Sequence, residues 1–119
     1  MTKKLVIAVD FDGTLCFSKY PNLGDANIDL INELNMMRRL GHKLILWTCR
    51  EGDALTEAVD FCTKHGLKFD AINENVPELI DDWGTDPRKI GADLYVDDLS
   101  IHPRDLLESK FCHTWDLGL

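Results

Sequence analysis

Four short apolar runs, separated by segments with helical periodicity, restrict the folds open to this chain. The runs cover residues 3–9, 43–48, 68–73 and 92–98. The first, second and fourth are almost continuously apolar, which is typical of strands that are covered on both faces in a parallel sheet. We therefore expect four strands that run in parallel.

The segments between the runs carry the spacing of amphipathic helices. The first segment predicts a helix over residues 25–40, and Gly41 follows it as a stop signal. The apolar face of this helix is formed by Ile28, Ile31, Leu34 and Met37. The same pattern predicts a helix over 53–65, and weaker patterns predict helices over 76–83 and 103–109. This alternation requires right-handed crossovers and predicts a doubly wound, Rossmann-like α/β fold, with a mainly parallel sheet and helices on both faces.

Length and composition exclude several classes of protein. At 119 residues the chain is long enough for a single domain, residues 1–119, with its own core. A net charge of −8 disfavours a broad nucleic-acid interface, and no apolar run approaches the roughly 20 residues of a membrane span. The four cysteines form no CxxC pair, which argues against a zinc site or a disulfide framework and favours a cytoplasmic location.

Polar residues follow three of the predicted strands. Asp10 and Asp12 come after the first strand, Thr48 ends the second, and Asp97 and Asp98 end the fourth. In an open α/β sheet the ligand lies at the carboxyl ends of the strands, so these side chains should converge. Carboxylates gathered at one place repel one another, and a cation relieves the repulsion. An all-oxygen set of ligands favours Mg²⁺, which would let a phosphate approach.

The residues around the end of the first strand indicate phosphoryl transfer. Gly13 and Thr14 supply a tight turn whose backbone N–H groups can cradle phosphate oxygens. Asp10 is placed to attack phosphorus, since carboxylates serve as nucleophiles through aspartyl-phosphates. Asp12 can protonate the leaving oxygen and then activate water. A turn or helix-cap role is the alternative for this pair of aspartates.

Three motifs, in order, resemble those of the haloacid dehalogenase-like (HAD) phosphohydrolases. "DFDGTL", from Asp10, is similar to the family's first motif, Asp-x-Asp-x-Thr after an apolar strand. "LILWT" resembles the second motif, a strand that ends in Thr or Ser, and "LYVDD" resembles the fourth, a strand that ends in paired acids. The third element of the family is a lysine upstream of the fourth motif, for which Lys89 is the best-placed candidate.

The resemblance implies a HAD-like fold and a role for each matching residue. Asp10 would be the nucleophile and a metal ligand, while Asp12 would bind metal through its backbone carbonyl and act as general acid/base. Thr48 would hydrogen-bond the transferring phosphoryl group, and Lys89 would offset its charge. The paired acids of the fourth motif would bind Mg²⁺, one directly and the other through water: Asp97 and Asp98.

Two basic residues keep alternative roles. Lys89 is otherwise a solvated surface lysine. Weaker candidates for the phosphate site are Arg88 and Lys64. Arg50 would bind a substrate phosphate or carboxylate, or would instead form a salt bridge to one of two neighbouring acids, Glu51 or Asp53.

Many HAD relatives insert a cap domain between their motifs, and this chain has no room for one. The segment between Asp12 and Thr48 holds a flap at "CFSKYPNLG" and one helix. An open site suits a large phosphorylated substrate, or a small one if a neighbouring subunit covers its mouth. The apolar C-terminal stretch "FCHTWDLGL" is the predicted contact of such a homo-oligomer.

The sequence thus predicts a capless, Mg²⁺-dependent phosphatase that hydrolyses phosphomonoesters through an aspartyl-phosphate. The first alternative is a phosphotransferase, or a nucleotide or polynucleotide-end phosphatase with the same site, because "WTCRE" resembles the Ser/Thr-Gly-Arg turn of polynucleotide 3′-phosphatase domains. The acidic net charge disfavours the nucleic-acid version. The second alternative is a HAD-like binding protein without turnover. The expected partner is a phosphorylated substrate, small or macromolecular.

Overall fold

The computed structural model describes residues 3–108, which hold six strands and four helices. In chain order these are β1 (Val6–Val9), β2 (Cys16–Lys19), β3 (Asn22–Ala26), α1 (Ile28–Arg39), β4 (Lys43–Leu46), α2 (Gly52–Lys64), β5 (Ala71–Ile72), α3 (Pro77–Trp83), β6 (Leu94–Val96) and α4 (Pro103–Glu108). Each predicted strand and helix has a counterpart whose ends differ by no more than three residues. The C-terminal stretch predicted as an oligomer contact lies outside the described residues.

Four strands form one parallel sheet in the order β5-β4-β1-β6. Val6–Val9 pairs with Lys43–Leu46 on one side, and Ile7 lies opposite Leu94 on the other. The chain runs from β1 outward to β4 and β5, and then returns to the opposite side of β1 for β6. The predicted α/β class, with a parallel sheet flanked by helices, is confirmed, and the architecture is compatible with a Rossmann-like fold.

Helices cover both faces of this sheet, because successive side chains of a strand point to opposite sides. Ile7 of β1 belongs to a buried cluster that includes Ile31 of α1 and Ala58 of α2. Ala8, the next residue, lies in a second buried cluster that is packed against Leu79 of α3. The central strand is therefore covered on both sides, as its continuous apolar sequence predicts.

A β-hairpin, β2–β3, occupies the segment predicted as a flap. Its strands pair antiparallel, with Cys16 opposite Ala26 and an irregular register between Phe17 and Lys19. The prediction named no strands here, because the run lacks both strict alternation and the Asn-Gly-type turn that marks a short hairpin. The hairpin is joined to the loop after β1 through an isolated bridge between Asp12 and Cys16.

The helix ends follow from local sequence. Asn27 caps α1 by accepting the backbone N–H of Leu30 at 3.4 Å, and two basic residues in its last turn, Arg38 and Arg39, complement the helix dipole. Pro77 begins α3, where its missing N–H costs nothing. Between residues 3 and 108, no helix has the length and apolar character needed to cross a membrane.

Candidate functional site

Three carboxylates meet where β1 and β6 end. Asp10, Asp97 and Asp98 each offer one oxygen, and these atoms all lie within 4.8 Å of one another. The backbone N–H of Asp10 donates to the carbonyl of Val96 at 2.9 Å, so the ladder between the two strands continues up to the cluster. The structure therefore brings together three of the residues that the strand ends were predicted to gather.

Thr14 ties the two sides of this acidic cluster together. Its buried hydroxyl donates to Asp10 Oδ2 at 3.1 Å and accepts the backbone N–H of Asp98, also at 3.1 Å. The hydroxyl thus uses both its proton and a lone pair. Through this side chain the loop after β1 is held against the loop after β6.

The electrostatics of the cluster favour a bound cation. Burial and the neighbouring Asp97 carboxylate raise the pKa of Asp10 from 3.8 to about 6, although hydrogen bonds from Thr14 and the Phe11 N–H offset part of the rise. Asp98 adds a smaller repulsion in the same direction. A divalent cation would remove this penalty, and carboxylate oxygens are the hard donors that Mg²⁺ prefers.

Gly13 is required at its position for two independent reasons. Its φ of +81° lies in the left-handed region, and a Cβ there would lie 2.2 Å from Asp98 Oδ2. The predicted phosphate cradle is corrected, however. The N–H of Gly13 donates to the Cys16 carbonyl at 2.8 Å, and that of Thr14 donates to the Phe11 carbonyl at 3.2 Å. Both donors are used inside the loop and do not face a ligand.

Asp12 is not a member of the acidic cluster, because its carboxylate pairs with Arg50. Arg50 Nε donates to Oδ2 at 2.8 Å and Nη2 donates to Oδ1 at 2.7 Å, while Arg50 is only 2% exposed. These hydrogen bonds lower the pKa of Asp12 against the opposing effect of burial, and so hold the carboxylate ionised. The predicted salt bridge from Arg50 to Glu51 or Asp53 is therefore wrong, because the acid that Arg50 contacts is Asp12.

The pair was not predicted, because its members are 38 residues apart and follow different strands. A signal for it was nevertheless present in the sequence. Asp12 lies just beyond β1 and Arg50 just beyond β4, and these strands are neighbours in the sheet. Opposite charges placed just past the carboxyl ends of adjacent parallel strands are candidates for an ion pair.

Thr48 lies across a small cleft from the cluster. The cleft has a volume of about 230 Å³ and is lined by Asp10, Trp47, Thr48, Cys49 and Asp97. The Thr48 N–H donates to Asn73 Oδ1 at 2.8 Å, and the Thr48 hydroxyl oxygen accepts the N–H of Arg50 at 3.1 Å. Among the described residues the hydroxyl proton has no acceptor, so it is available to a ligand in the cleft.

Lys89 does not line the acidic cleft. It is exposed and lines an adjoining cleft of about 580 Å³. The two clefts share Trp47, whose ring packs on Tyr95 with 5.6 Å between centroids. Lys64, one of the weaker candidates, lines a different cleft near the hairpin. Within residues 3–108, no lysine lines the cleft beside the carboxylates, so Lys89 is not in the position that the resemblance implies.

A basic cleft of about 480 Å³ lies at the amino ends of the strands, away from the acidic cluster. Its basic side chains have local partners. Arg38 and Lys43 lie 3.7 and 4.0 Å from Asp70 Oδ1, and Arg38 and Arg39 offset the dipole at the end of α1. This cleft is therefore not part of the candidate site.

The fold and the site define an α/β protein with an acidic cluster at the carboxyl edge of a parallel sheet. No protein-family model matches the chain, and no curated protein matches it. A solved structure of a conserved protein from Bacteroides thetaiotaomicron is similar to it, with a TM-score of 0.73 and 35% identity over 94% of this chain and 93% of that one. The chain belongs to the same family as that conserved protein.

Proposed function

We propose that the protein is a Mg²⁺-dependent phosphatase that hydrolyses phosphomonoesters through an aspartyl-phosphate on Asp10. The observation that carries this proposal is the convergence of Asp10, Asp97 and Asp98 within 4.8 Å at the edge of a parallel sheet. Asp97 and Asp98 are exposed, but Asp10 is partly buried beside them, and its charged form is penalised unless a cation offsets it. We further propose a capless HAD-like fold, since the motifs that resemble that family lie at the ends of β1, β4 and β6.

The residues present fit Mg²⁺. The carboxylates of Asp10, Asp97 and Asp98, with the backbone carbonyl of Asp12, would hold it through oxygen atoms alone. The raised pKa of Asp10 supports this assignment, because burial and then repulsion by Asp97 penalise its charged form, and a cation would offset that penalty. Bound there, Mg²⁺ would offset the negative charge of the cluster and polarise the oxygens of a phosphoryl group.

In the first half-reaction, a carboxylate oxygen of Asp10 attacks phosphorus and the bond from phosphorus to the ester oxygen breaks. Asp12 gives a proton to the leaving oxygen, and because Arg50 favours its ionised form, Asp12 must first take that proton from the substrate monoanion or from solvent. Thr48 donates its hydroxyl proton to a phosphoryl oxygen from across the cleft. Lys89 offsets the phosphoryl charge only if its side chain moves in from the adjoining cleft.

In the second half-reaction, water attacks phosphorus and the bond between phosphorus and Asp10 breaks. Asp12 accepts a proton from the water, so the products are inorganic phosphate and a free Asp10 carboxylate. Arg50 supports this step, because it holds Asp12 in the ionised form that accepts a proton. The Thr14 hydroxyl keeps the Asp10 side chain in place through both steps.

The test is release of inorganic phosphate from an aryl phosphate, with and without Mg²⁺, by the wild type and by Asp10→Asn. Metal-dependent release by the wild type alone supports the proposal. Turnover that survives EDTA, or that Asp10→Asn retains, contradicts it. If no member of a panel of phosphorylated metabolites, nucleotides and peptides is hydrolysed, a binding protein without turnover is the better description.

A further inference from the structure

Arg50 occupies an enclosed position beside the candidate site. Its guanidinium packs on two aromatic rings, with Cζ 5.1 Å from the centroid of Phe11 and 5.0 Å from that of Tyr20. A planar cation packs well on aromatic faces, and such contacts are stronger where water is excluded. With an exposed fraction of 2%, Arg50 is buried between the loop after β1 and the hairpin.

The tip of the hairpin forms the outer wall of this enclosure. Tyr20 is 65% exposed, and the adjacent Pro21 carbonyl accepts a hydrogen bond from Arg50 Nη2 at 3.4 Å. Arg50 Nη1 donates to the carbonyl of Ala54 in α2 at 3.3 Å. The guanidinium thus joins the hairpin, the start of α2 and the carboxylate of Asp12.

These contacts leave Arg50 poorly placed to bind a substrate anion directly. Four of its five N–H groups donate to Asp12, Pro21 and Ala54, and two aromatic rings pack beside it. A substrate phosphate would have to displace a bidentate ion pair whose arginine is buried, which is unfavourable. The same contacts fix the Asp12 carboxylate in one orientation.

We propose that Arg50 is a positioning residue that holds Asp12 in place for hydrolysis of the phosphorylated enzyme. The tip of the hairpin, at Tyr20, in turn clamps Arg50. This inference rests on the proposed function, and it adds that the hairpin controls the second half-reaction without contacting substrate. Asp12 must face the attacking water to take its proton, and a bidentate partner fixes the carboxylate plane. Loss of Arg50 leaves the Asp12 carboxylate free to rotate, and it also removes the hydrogen bonds that lower the pKa of Asp12.

The kinetic test uses Arg50→Met with p-nitrophenyl phosphate and Mg²⁺. The leaving group of this ester departs with little need of a proton, so the assay isolates the step that uses water. We expect kcat to fall by about 10- to 100-fold while kcat/KM changes little, so that KM falls together with kcat. Acid quench and mass spectrometry should then show phosphorylated Arg50→Met accumulating during turnover. Arg50→Lys should recover part of kcat, since it retains the charge but not the bidentate geometry.

Arg39→Met is the matched control, because Arg39 is an exposed arginine in the last turn of α1 and is remote from Asp12. It should show neither effect. A raised KM with lowered kcat/KM in Arg50→Met would overturn the proposal in favour of direct substrate binding. Loss of kcat without accumulation of the phosphorylated enzyme would also overturn it, because a smaller folded fraction explains that result. If the wild-type protein shows no turnover, the proposed function is wrong, and this inference is wrong with it.

The hairpin part of the proposal has its own readout. Tyr20→Ala should speed amide hydrogen exchange over residues 17–23 and should raise the steady-state fraction of phosphorylated enzyme, though less than Arg50→Met does. Phe17→Ala removes an exposed aromatic from the same hairpin that does not contact Arg50, and it should leave the phosphorylated fraction unchanged. Equal behaviour of Tyr20→Ala and Phe17→Ala would overturn the clamp.

Discussion

Gly13 and Asp98 approach so closely that no side chain fits between them. A Cβ on residue 13 would lie 2.2 Å from Asp98 Oδ2, well inside van der Waals contact. The two residues belong to loops that follow different strands, β1 and β6, and the approach places the Asp98 carboxylate beside that of Asp10. The shape of the acidic cluster therefore depends on the absence of a side chain at residue 13.

Gly13→Ala should accordingly weaken Mg²⁺ binding as well as the fold. The left-handed φ of +81° alone costs an alanine about 1 kcal/mol, and the new methyl group must also push Asp98 away. We expect the affinity for Mg²⁺ to fall about tenfold or more, as it does when groups that orient metal ligands are changed. Titration calorimetry measures the affinity, and chemical denaturation measures the free energy of unfolding.

Gly84→Ala is the control for this prediction. Gly84 has a similar φ of +71°, but a Cβ there meets nothing within 4 Å. It should lose a comparable amount of stability from backbone strain while keeping the Mg²⁺ affinity of the wild type. Equal Mg²⁺ affinity in the two variants would show that the approach of Gly13 to Asp98 has no bearing on the cluster.

Asp10→Asn should abolish turnover and, without metal, stabilise the protein at pH 7. Asp10 has a pKa of about 6 in the folded protein, against the ordinary aspartate value of 3.8 that applies in the unfolded chain. Between these values the folded state binds more protons than the unfolded state, so stability falls as the pH rises through the window. An uncharged amide escapes this loss, which is about 1–2 kcal/mol once partial exposure is allowed for. Thermal denaturation in EDTA from pH 4 to 7 measures the difference.

Asp60→Asn, at an exposed position of α2, should follow the pH dependence of the wild type. A steeper loss of stability in Asp10→Asn than in the wild type would contradict the sign of the argument.

Mg²⁺ should raise the melting temperature at pH 7.5 and do so much less at pH 5. On the proposed function the cation binds only the folded state, and such binding stabilises that state. Below about pH 6 protons compete for Asp10, so metal binding weakens as the pH falls through that value. Asp97→Asn and Asp98→Asn should each reduce the shift. Differential scanning fluorimetry over a Mg²⁺ series decides this, and a shift independent of pH would contradict it.

Asn75→Ala should destabilise the fold by about 2–3 kcal/mol, because it removes a buried hydrogen-bonding centre. The Asn75 amide donates to Asp86 Oδ1 at 2.7 Å and to the Pro87 carbonyl at 3.1 Å, and accepts the Gly91 N–H at 2.6 Å. These bonds hold the loop that leads into β6. Urea denaturation measures the loss, with the exposed Asn32→Ala expected to stay within about 0.5 kcal/mol of the wild type.

The parallel sheet could be predicted because burial on both faces leaves a direct trace in the sequence. The four residues Val6–Val9 contribute alternately to two cores, so they must be apolar throughout. The β2–β3 hairpin left no such trace. Its residues from Phe17 to Lys19 have an irregular register and are largely exposed, so neither alternation nor continuous apolarity marks them.

The positions of site residues could be predicted where strand topology fixes them, but not where the path of a loop fixes them. Asp10 and the acids after β6 converge because adjacent parallel strands end at the same edge. The partner of Asp12 depends instead on how far the loop after β4 reaches, and the position of Lys89 depends on the path of the loop before β6. Neither path follows from local sequence, since both loops are fixed by contacts with distant residues, such as the bonds of Asn75.

The pairing of β1 with β6 has a consequence for how the protein matures. The strands are separated by most of the described chain, yet Asp10 depends on both, because its N–H is bound by Val96 and its carboxylate faces Asp97. Contacts that are so distant in sequence form late in folding. During synthesis on a ribosome, Asp10 would emerge long before Val96 and Asp97. If the proposed function holds, metal affinity should therefore appear only when β6 has docked on β1, so that Mg²⁺ binding would report completion of the parallel sheet.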